Sequence, residues 1–281
     1  MMPGYRGRIA PSPTGFLHLG HAATFLRAAR RCEAASGVMV YREEDLDGPR
    51  CRPEYSSGAQ EDLRWLGIHW EEGPDVGGPF GPYVQSERMS IYRERLKALI
   101  LAGRVYPCTC TRGDIARALG APHEGEEEPV YPGTCRMRLV GDAENPGVFR
   151  QNWRFRVPIG RVMSFDDGFR GYCESSSGRD FGDFLVWRKD GFPAYQLAVV
   201  VDDALMGISE VVRGEDLVAS TFRQLLLYEA LGARVPRFAH APLIRDALGK
   251  RLAKRDDARS IRALRASGMA PREVVALCLG E

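Results

Sequence analysis

The segment that decides the fold reads Arg8-Ile9-Ala10-Pro11-Ser12-Pro13-Thr14-Gly15-Phe16-Leu17-His18-Leu19-Gly20-His21. Its apolar beginning predicts a strand from Tyr5 to Ala10, its Pro- and Gly-rich middle predicts a loop, and a helix is expected from Leu19 to about Glu33. A helix N-terminus offers free N–H groups and the positive end of a dipole, which favour phosphate. The segment therefore predicts a nucleotide site at the end of a strand.

Two histidines flank a glycine at the start of that helix. His18 and His21 are three residues apart, so both side chains project from one face of the first turn and can donate hydrogen bonds to phosphate. Gly20 leaves the backbone open to an adenine or a ribose. A His-x-x-His pair is also typical of a protein surface or of a metal pair, so these residues alone leave the interpretation open.

Composition indicates a globular protein without membrane contact. The chain has 281 residues, of which 44% are hydrophobic, enough to bury a core in one large domain or two modest ones. No apolar run reaches the roughly 18 to 20 residues of a membrane span, and the N-terminus lacks a secretory pattern. We therefore expect a cytoplasmic location.

Charge alone does not identify a nucleic-acid partner, because the formal net charge is only +2. The candidate nucleic-acid face is a basic run near the C-terminus, and a solvated helix surface balanced by Asp256 and Asp257 is the alternative. Its members are Arg245, Lys250, Arg251, Lys254, Arg255, Arg259, Arg262 and Arg265.

Alternating strands and helices continue after the first helix. We predict a strand at Val38–Arg42, a helix at Pro53–Leu66 and a helix at Ser86–Ala102 that Ser86 caps and Gly103 ends. Strand, helix, strand, helix is the beginning of a doubly wound parallel sheet. The predicted fold is therefore α/β with a Rossmann-type sheet.

The chain changes character after Tyr106, where Cys, Pro, Gly and acidic residues predict an insertion. Alternation at Trp153–Val157 and Val162–Asp167 predicts a small sheet within it. The apolar run Ala194–Asp203 is expected to resume the parallel sheet, followed by a strand at Glu210–Arg213 and a helix from about residue 220 to 231. Residues 260–281 are expected to form one or two short helices.

These motifs resemble those of the class I aminoacyl-tRNA synthetases. His18-Leu19-Gly20-His21 is similar to their "HIGH" signature, and the leader from Arg8 to Gly15 is similar to that of the glutamyl branch. Residues 183–203 also resemble that branch, and Lys189-Asp190-Gly191 within them predicts a hairpin turn. The resemblance implies activation of L-glutamate by ATP with Mg²⁺, with His18, Gly20 and His21 at the ATP and both histidines catalytic.

An acidic segment after the second strand supports an amino-acid site. Arg42-Glu43-Glu44-Asp45-Leu46-Asp47 follows a strand whose carboxyl end is where open α/β sheets place ligands, although a solvated acidic loop is the alternative. An ammonium group needs a carboxylate, and a substrate carboxylate needs an arginine fork. The resemblance implies that Glu44 faces the substrate amine. It also implies further contacts to glutamate from Arg8, Ile9, Ala10, Pro11, Ser12, Tyr195 and Arg213.

The segment Arg251-Leu252-Ala253-Lys254-Arg255 stands where the family has its second signature, "KMSKS". It departs from the signature at Arg251 and at Ala253. The alanine stands where the signature has a serine, so a hydroxyl donor is missing. Lys254 keeps the central charge, so it is expected to be catalytic and to contact ATP. A cation beside the β- and γ-phosphates stabilises charge that develops on the pyrophosphate leaving group.

Cysteine usage predicts a metal site rather than disulfides, because the chain has seven cysteines but no secretory signal. Cys108, Cys110 and Cys135 lie in the insertion, and a structural Zn²⁺ takes four tetrahedral ligands. Chemistry alone leaves the fourth ligand open between His123 and Tyr131. The family pattern Cys-x-Cys…Tyr-x-x-x-Cys implies Tyr131.

The resemblance also implies an organisation in four segments. They are the first half of a Rossmann-type catalytic domain at 1–105, an insertion with a zinc site and an acceptor-binding-like subdomain at 106–190, the second catalytic half at 191–245, and a KMSKS-like loop with C-terminal helices at 246–281. In the reaction that it implies, the glutamate carboxylate attacks the α-phosphorus of ATP, and no side-chain nucleophile is needed.

Ordinary glutamyl synthetases continue into helical domains that read the anticodon, whereas this sequence ends soon after Lys254. It resembles the shortened members that place glutamate on queuosine in the anticodon loop of tRNA(Asp). The expected partners are ATP, L-glutamate and the anticodon stem-loop of tRNA(Asp), and the expected state is a monomer. The alternatives are a glutamyl synthetase fragment that charges a tRNA 3′ end, a small-molecule nucleotidyltransferase and a non-catalytic RNA-binding paralogue.

Overall fold

A computed structural model describes residues 4–118, 130–244 and 260–281 of the chain. His123, Lys254 and most of the basic run around Lys254 lie outside these residues, so their predicted roles stay predictions. None of the helices in the described ranges combines the length and the apolar character that crossing a membrane requires.

The described elements alternate along the chain as the sequence predicts for an α/β protein. The strands are β1 (Arg6–Ile9), β2 (Val38–Tyr41), β3 (Val105–Cys108), β4 (Asn152–Phe155), β5 (Val162–Asp167), β6 (Gly171–Ser176), β7 (Leu185–Trp187), β8 (Glu210–Gly214) and β9 (Arg237–Ala241). The α-helices are α1 (Leu19–Ala34), α2 (Pro53–Trp65), α3 (Met89–Leu101), α4 (Arg112–Ala118), α5 (Tyr195–Leu205), α6 (Val218–Ala230), α7 (Ile261–Ala266) and α8 (Pro271–Leu279).

The main sheet is built from two parallel pairs. β1 pairs with β2, and β8 pairs with β9. The pairs lie side by side, because the Ser209 N–H donates to the Arg6 carbonyl at 2.9 Å and Arg8 Nη1 donates to the Val212 carbonyl at 2.8 Å. β5 and then β6 continue the sheet beyond β9. The spatial order is therefore β2-β1-β8-β9-β5-β6.

The strand order reverses between β1 and β8. The chain leaves β1 through α1 toward β2 at one side, and it leaves β8 through α6 toward β9 at the other side. In open α/β sheets, ligands bind in the crevice that such a reversal creates at the carboxyl ends of the strands. Arg8 and Arg213 lie at these ends of β1 and β8, so the fold brings two residues far apart in sequence to one crevice.

Neighbouring side chains on the strands pack into two different cores, one on each face of the sheet. Val211 and Phe238 pack with α3, α5 and α6. Val212 and Ala239, the next residues along the same strands, pack with α1, α2 and α8. Helices therefore cover both faces, and the prediction of an α/β fold is confirmed.

The insertion contains a three-stranded antiparallel sheet of β3, β4 and β7. The expectation that Val162–Asp167 also belongs to a small sheet of the insertion is wrong, because Asp167 at the end of β5 pairs with Phe238 of β9. The Asp167 carboxylate accepts the His240 backbone N–H at 3.0 and 3.1 Å, which joins β5 to the main sheet. Alternation identifies a strand but not the strand with which it pairs.

The expectation that Ala194–Asp203 is a strand is also wrong, because this run forms most of α5. Every residue from Leu197 to Asp203 is buried, so protein surrounds the helix and its sequence lacks a polar face. A short run of this kind does not distinguish a buried helix from a buried strand. The predicted Ser86 cap is wrong as well, since Ser86 lies in a 3₁₀ turn and α3 begins at Met89 without a side-chain cap.

Candidate active site

The loop after β1 leads directly into α1, as predicted. His18 precedes the helix, and its Nδ1 accepts a hydrogen bond from the Gly20 N–H at 3.1 Å. The rings of His18 and His21 stack with centroids 3.8 Å apart, so both lie on one face of the first turn. A Cβ at Gly20 would approach His18 Cε1 to 2.9 Å. The glycine therefore makes room for the His18 ring.

Arg8 is buried at the end of β1, where its Nε lies 3.7 Å from Asp203 Oδ1. The side chain of Ile9 lies in the core, and that of Ser12 is exposed at the loop surface. Ala10 is half-buried between them. The Pro11 carbonyl accepts the Glu44 N–H at 3.0 Å, which joins this loop to the acidic segment after β2.

Arg42 holds Glu44 in place. The Arg42 guanidinium is fully buried, and it donates from Nη2 to Glu44 Oε1 at 2.9 Å and from Nη1 to Asp203 Oδ1 at 2.7 Å. Burial raises the pKa of Glu44, although the Arg42 charge acts against this. No residue in the described ranges donates a hydrogen bond to Glu44 Oε2. This oxygen is therefore available to an ammonium group.

Asp202, the residue before Asp203 on α5, joins α5 to the start of α3. Its carboxylate is fully buried and accepts hydrogen bonds from Gln85 Nε2 at 2.8 Å, Arg88 Nε at 2.7 Å and the Tyr92 hydroxyl at 2.8 Å. Sequence reasoning missed the roles of both aspartates. A signal for these roles is present in the sequence, because both aspartates belong to a long apolar run that is expected to be buried. Acidic residues are almost never fully buried unless a cation pairs with them.

Arg213 is buried at the end of β8 with its guanidinium fixed on three sides. It donates to His240 Nε2 at 3.1 Å, to Thr221 Oγ1 at 2.7 Å and to the Tyr195 hydroxyl at 3.4 Å. Each terminal nitrogen carries a second N–H, so the guanidinium can still bind a carboxylate. The structure therefore brings together Arg213 and Tyr195, two of the residues that the resemblance implies as contacts to glutamate.

His240 and Asp167 form a second layer behind Arg213, which sequence reasoning missed. An arginine only donates, so His240 Nε2 is the acceptor and its Nδ1–H donates to Asp167 Oδ2 at 2.5 Å. Burial, together with the Arg213 charge, lowers the pKa of His240 to about 4. Burial alone would raise the pKa of Asp167, but hydrogen bonds from Phe169 and His240 lower it. A neutral His240 thus orients Arg213 at pH 7.

Arg213 lies 3.4 Å from the Tyr195 hydroxyl, and the charges of Arg8 and Glu44 also act on this group. Burial raises the pKa of this phenol, the charges of Arg213 and Arg8 lower it, and the charge of Glu44 raises it. Two guanidinium groups and one carboxylate suit a ligand with two carboxylates and one ammonium. The α1 N-terminus with its two histidines lies at the same edge of the sheet, where it can hold phosphate. The arrangement can therefore bring an acidic amino acid and a nucleotide together.

The predicted metal ligands meet in the insertion. The Sγ atoms of Cys108, Cys110 and Cys135 all lie within 4.8 Å of one another. The Tyr131 hydroxyl lies 3.5 Å from Cys108 Sγ and 3.3 Å from Cys110 Sγ. Arg154, which sequence reasoning missed, donates to Cys108 Sγ at 3.3 Å and stacks over the Tyr131 ring at 3.9 Å. Three thiols and one phenol are a donor set that fits a tetrahedral Zn²⁺.

Known proteins resemble this chain over nearly its whole length. A family model described as the catalytic domain of class I tRNA synthetases (E and Q) matches residues 5–279. A glutamyl-Q tRNA(Asp) synthetase from Nitratidesulfovibrio vulgaris is 50% identical over 267 residues, which cover 94% of this chain and 82% of the relative. A glutamate–tRNA ligase from Sulfurihydrogenibium sp. is 42% identical over 276 residues, covering 94% of this chain and 55% of the relative.

A solved structure shares the fold. The crystal structure of a glutamate–tRNA synthetase from Elizabethkingia anophelis superposes with a TM-score of 0.77 at 33% sequence identity. The match covers 90% of this chain and 53% of that structure. This chain thus spans about half the length of the ordinary glutamate ligases that it matches.

Proposed function

This chain belongs to the family of class I tRNA synthetases (E and Q), and from this premise we propose that it attaches glutamate to queuosine in the anticodon loop of tRNA(Asp). The observation that carries the proposal is the similarity to four relatives named glutamyl-Q tRNA(Asp) synthetase, which are 44 to 50% identical and are matched over 82 to 84% of their own length. The non-catalytic alternative is not favoured, because these relatives are named as synthetases.

Glutamate recognition follows from the charges in the crevice. Arg8 and Arg213 bind the two carboxylates, and Glu44 Oε2 accepts from the ammonium group. Arg42 and His240 touch no substrate in this arrangement, but they fix Glu44 and Arg213 before the ligand arrives. All these groups come from one chain, so the proposal needs no second copy, and a tRNA substrate is consistent with a cytoplasmic location.

Activation joins the glutamate α-carboxylate to the α-phosphorus of ATP. A carboxylate oxygen forms the new bond to phosphorus, the bond from phosphorus to the bridging oxygen of the β-phosphate breaks, and pyrophosphate leaves. Mg²⁺ brought with ATP would offset the charge of the phosphates. His18, His21 and the α1 N-terminus stabilise the phosphate charge, and Lys254 is proposed to stabilise the leaving group. Positioning and electrostatics account for this step without a protein nucleophile.

Transfer completes the reaction. A hydroxyl oxygen of queuosine forms an ester bond to the glutamyl carbonyl carbon and releases its proton to water, the mixed anhydride bond breaks, and AMP leaves. In the insertion, Cys108, Cys110, Tyr131 and Cys135 would hold a Zn²⁺ with no open ligand position, so the ion would stabilise the fold of the insertion and take no part in either step.

The test is to charge tRNA(Asp) with radiolabelled glutamate, using tRNA that carries queuosine and tRNA that carries guanosine at the same position. We expect label only on the queuosine form, and we expect the same label on queuosine-containing tRNA from which the 3′-terminal adenosine has been removed before charging. Equal labelling of both forms would overturn the queuosine assignment. Label that depends on an intact 3′ end would identify an ordinary glutamate–tRNA ligase activity instead.

A further inference from the structure

A second cavity lies outside the glutamate crevice. It encloses about 560 Å³ and is formed where the start of α3, the 3₁₀ turn Pro146–Arg150 and the turn after β7 meet. Arg93, Arg150 and Lys189 line it together with the rings of Phe149 and Phe192. None of the residues assigned to glutamate, ATP or zinc contributes to its lining.

The cavity carries an uncompensated positive charge. Arg93, Arg150 and Lys189 are all exposed, and no carboxylate in the described part of the chain lies within ion-pair distance of any of them. The only acidic lining residue, Asp190, is already paired with Arg188 at 3.1 Å. The positive charge of these three side chains on one rim is larger than the formal net charge of the whole chain, which is +2. Such a local excess attracts a polyanion.

The aromatic rings provide flat surfaces between these cations. Phe149 and Phe192 are half-buried, and each has a guanidinium over it at 5.6 Å, from Arg93 and Arg188 respectively. Nucleic-acid bases stack on aromatic rings and on the planes of arginine side chains, while lysine and arginine bind the neighbouring phosphates. Rings and cations in one cavity are therefore the chemistry of a nucleotide within a single strand.

The cavity adjoins the glutamate crevice along the chain at two points. Phe192 precedes Tyr195 by three residues, so their backbones are at most about 11 Å apart. On the other side, Arg188 Nη2 donates to the Leu46 carbonyl at 3.0 Å, two residues after Glu44. A strand of stacked nucleotides covers about 10 Å in three steps. A nucleotide in the cavity can thus belong to the same RNA loop as the base that receives glutamate.

We propose that this cavity binds an unpaired nucleotide of the substrate RNA, within about three nucleotides of the one in the glutamate crevice, by stacking on Phe192 and pairing its phosphates with Arg150 and Lys189. The inference rests on the proposed function, because it takes the RNA loop as the substrate. It adds a contact that positions the loop for transfer and that plays no part in glutamate activation.

The test measures binding of a fluorescein-labelled tRNA(Asp) anticodon stem-loop by anisotropy at several salt concentrations. In a Lys189→Ala/Arg150→Ala variant, the slope of log affinity against log salt is expected to fall by about 1.4, because each phosphate contact to a single strand contributes about 0.7. Phe192→Leu keeps an apolar side chain but loses the ring, and it is expected to weaken binding at least about 5-fold. Both variants should show the same rise in melting temperature on adding glutamate as the parent chain. This measurement verifies that the variants fold.

Arg95→Ala is the matched control, since Arg95 is an exposed arginine of α3 that does not line the cavity. An equal loss in this control, or unchanged binding in both cavity variants, would overturn the proposal. Loss of queuosine dependence in the charging assay contradicts the proposed function separately, whatever the cavity variants do.

Discussion

The proposed role of Glu44 depends on one carboxylate oxygen, Oε2. Arg42 donates to Oε1, which leaves Oε2 for the proposed bond from the substrate ammonium group. Glu44→Gln removes the charge while keeping the shape, and a hydrogen bond between charged groups contributes about 1.5 to 3 kcal/mol. We therefore expect the KM for glutamate in pyrophosphate exchange to rise about 10- to 150-fold. Glu43→Gln, in the same segment but bonded to Ser56, should change this KM by less than about 3-fold; equal effects would contradict the assignment.

His240 gives the site a defined response to pH. Its pKa is about 4 in the folded chain, against an ordinary value of 6.5, so the fold favours the neutral imidazole. As the pH falls from 6.5 toward 4, the unfolded chain binds a proton that the folded chain does not bind, and stability decreases with falling pH. The difference between the two pKa values corresponds to a loss of about 3 kcal/mol in the free energy of unfolding. This loss is complete only below the pKa that His240 has in the folded chain.

His240→Gln should remove this part of the pH dependence. We expect urea unfolding between pH 7 and pH 4 to show a smaller loss of stability in the variant than in the parent chain. The KM for glutamate should rise more than kcat falls, because Arg213 loses the group that orients it. His69→Gln at an exposed position provides the control. An unchanged pH profile in His240→Gln would show that the imidazole is not held neutral.

At the scale of elements, the sequence predicted where helices and strands begin better than it predicted which elements they pack against or pair with. α1 begins at Leu19 as expected, because the loop and the helix are encoded by adjacent residues. α5 was predicted as a strand because burial on all sides removes the polar face that identifies a helix. β5 was recognised as a strand, but its partner β9 lies about 70 residues further along the chain, and alternation carries no information about that pairing.

The cysteine cluster ties together elements of the insertion, and a metal there would stabilise them as a unit. β3 supplies Cys108, while Tyr131 and Cys135 come from a loop segment that contains little regular structure. Tyr131→Phe should lower the zinc bound per chain and the melting temperature, because it removes the fourth donor. Elemental analysis and thermal unfolding would measure both. Cys173→Ser, outside the cluster, is expected to leave zinc content unchanged; normal zinc in Tyr131→Phe would exclude the phenol as a ligand.

At the scale of the whole molecule, the proposed glutamate site is formed only when the two halves of the main sheet meet. Arg8 and Glu44 come from the first half, and Arg213 and Asp203 come from the second. Arg31 of α1 binds both carboxylate oxygens of Glu210 on β8 at 2.8 Å, and Arg42 binds Asp203, so ion pairs join the halves. The sequence could identify each charged residue near a strand end, but their meeting follows from the reversal of strand order, which no local pattern encodes.

Glutamate should therefore stabilise the entire main sheet rather than one half of it. At a concentration 100 times its Kd, a ligand that binds only the folded chain adds about 2.7 kcal/mol of stability. For a chain of this size, we expect the melting temperature to rise by about 5 °C in a single cooperative transition. L-glutamine, which lacks the second carboxylate, should give a shift below about 1 °C. Two transitions, of which glutamate moves only one, would show that the halves unfold independently and that the crevice is not completed by their contact.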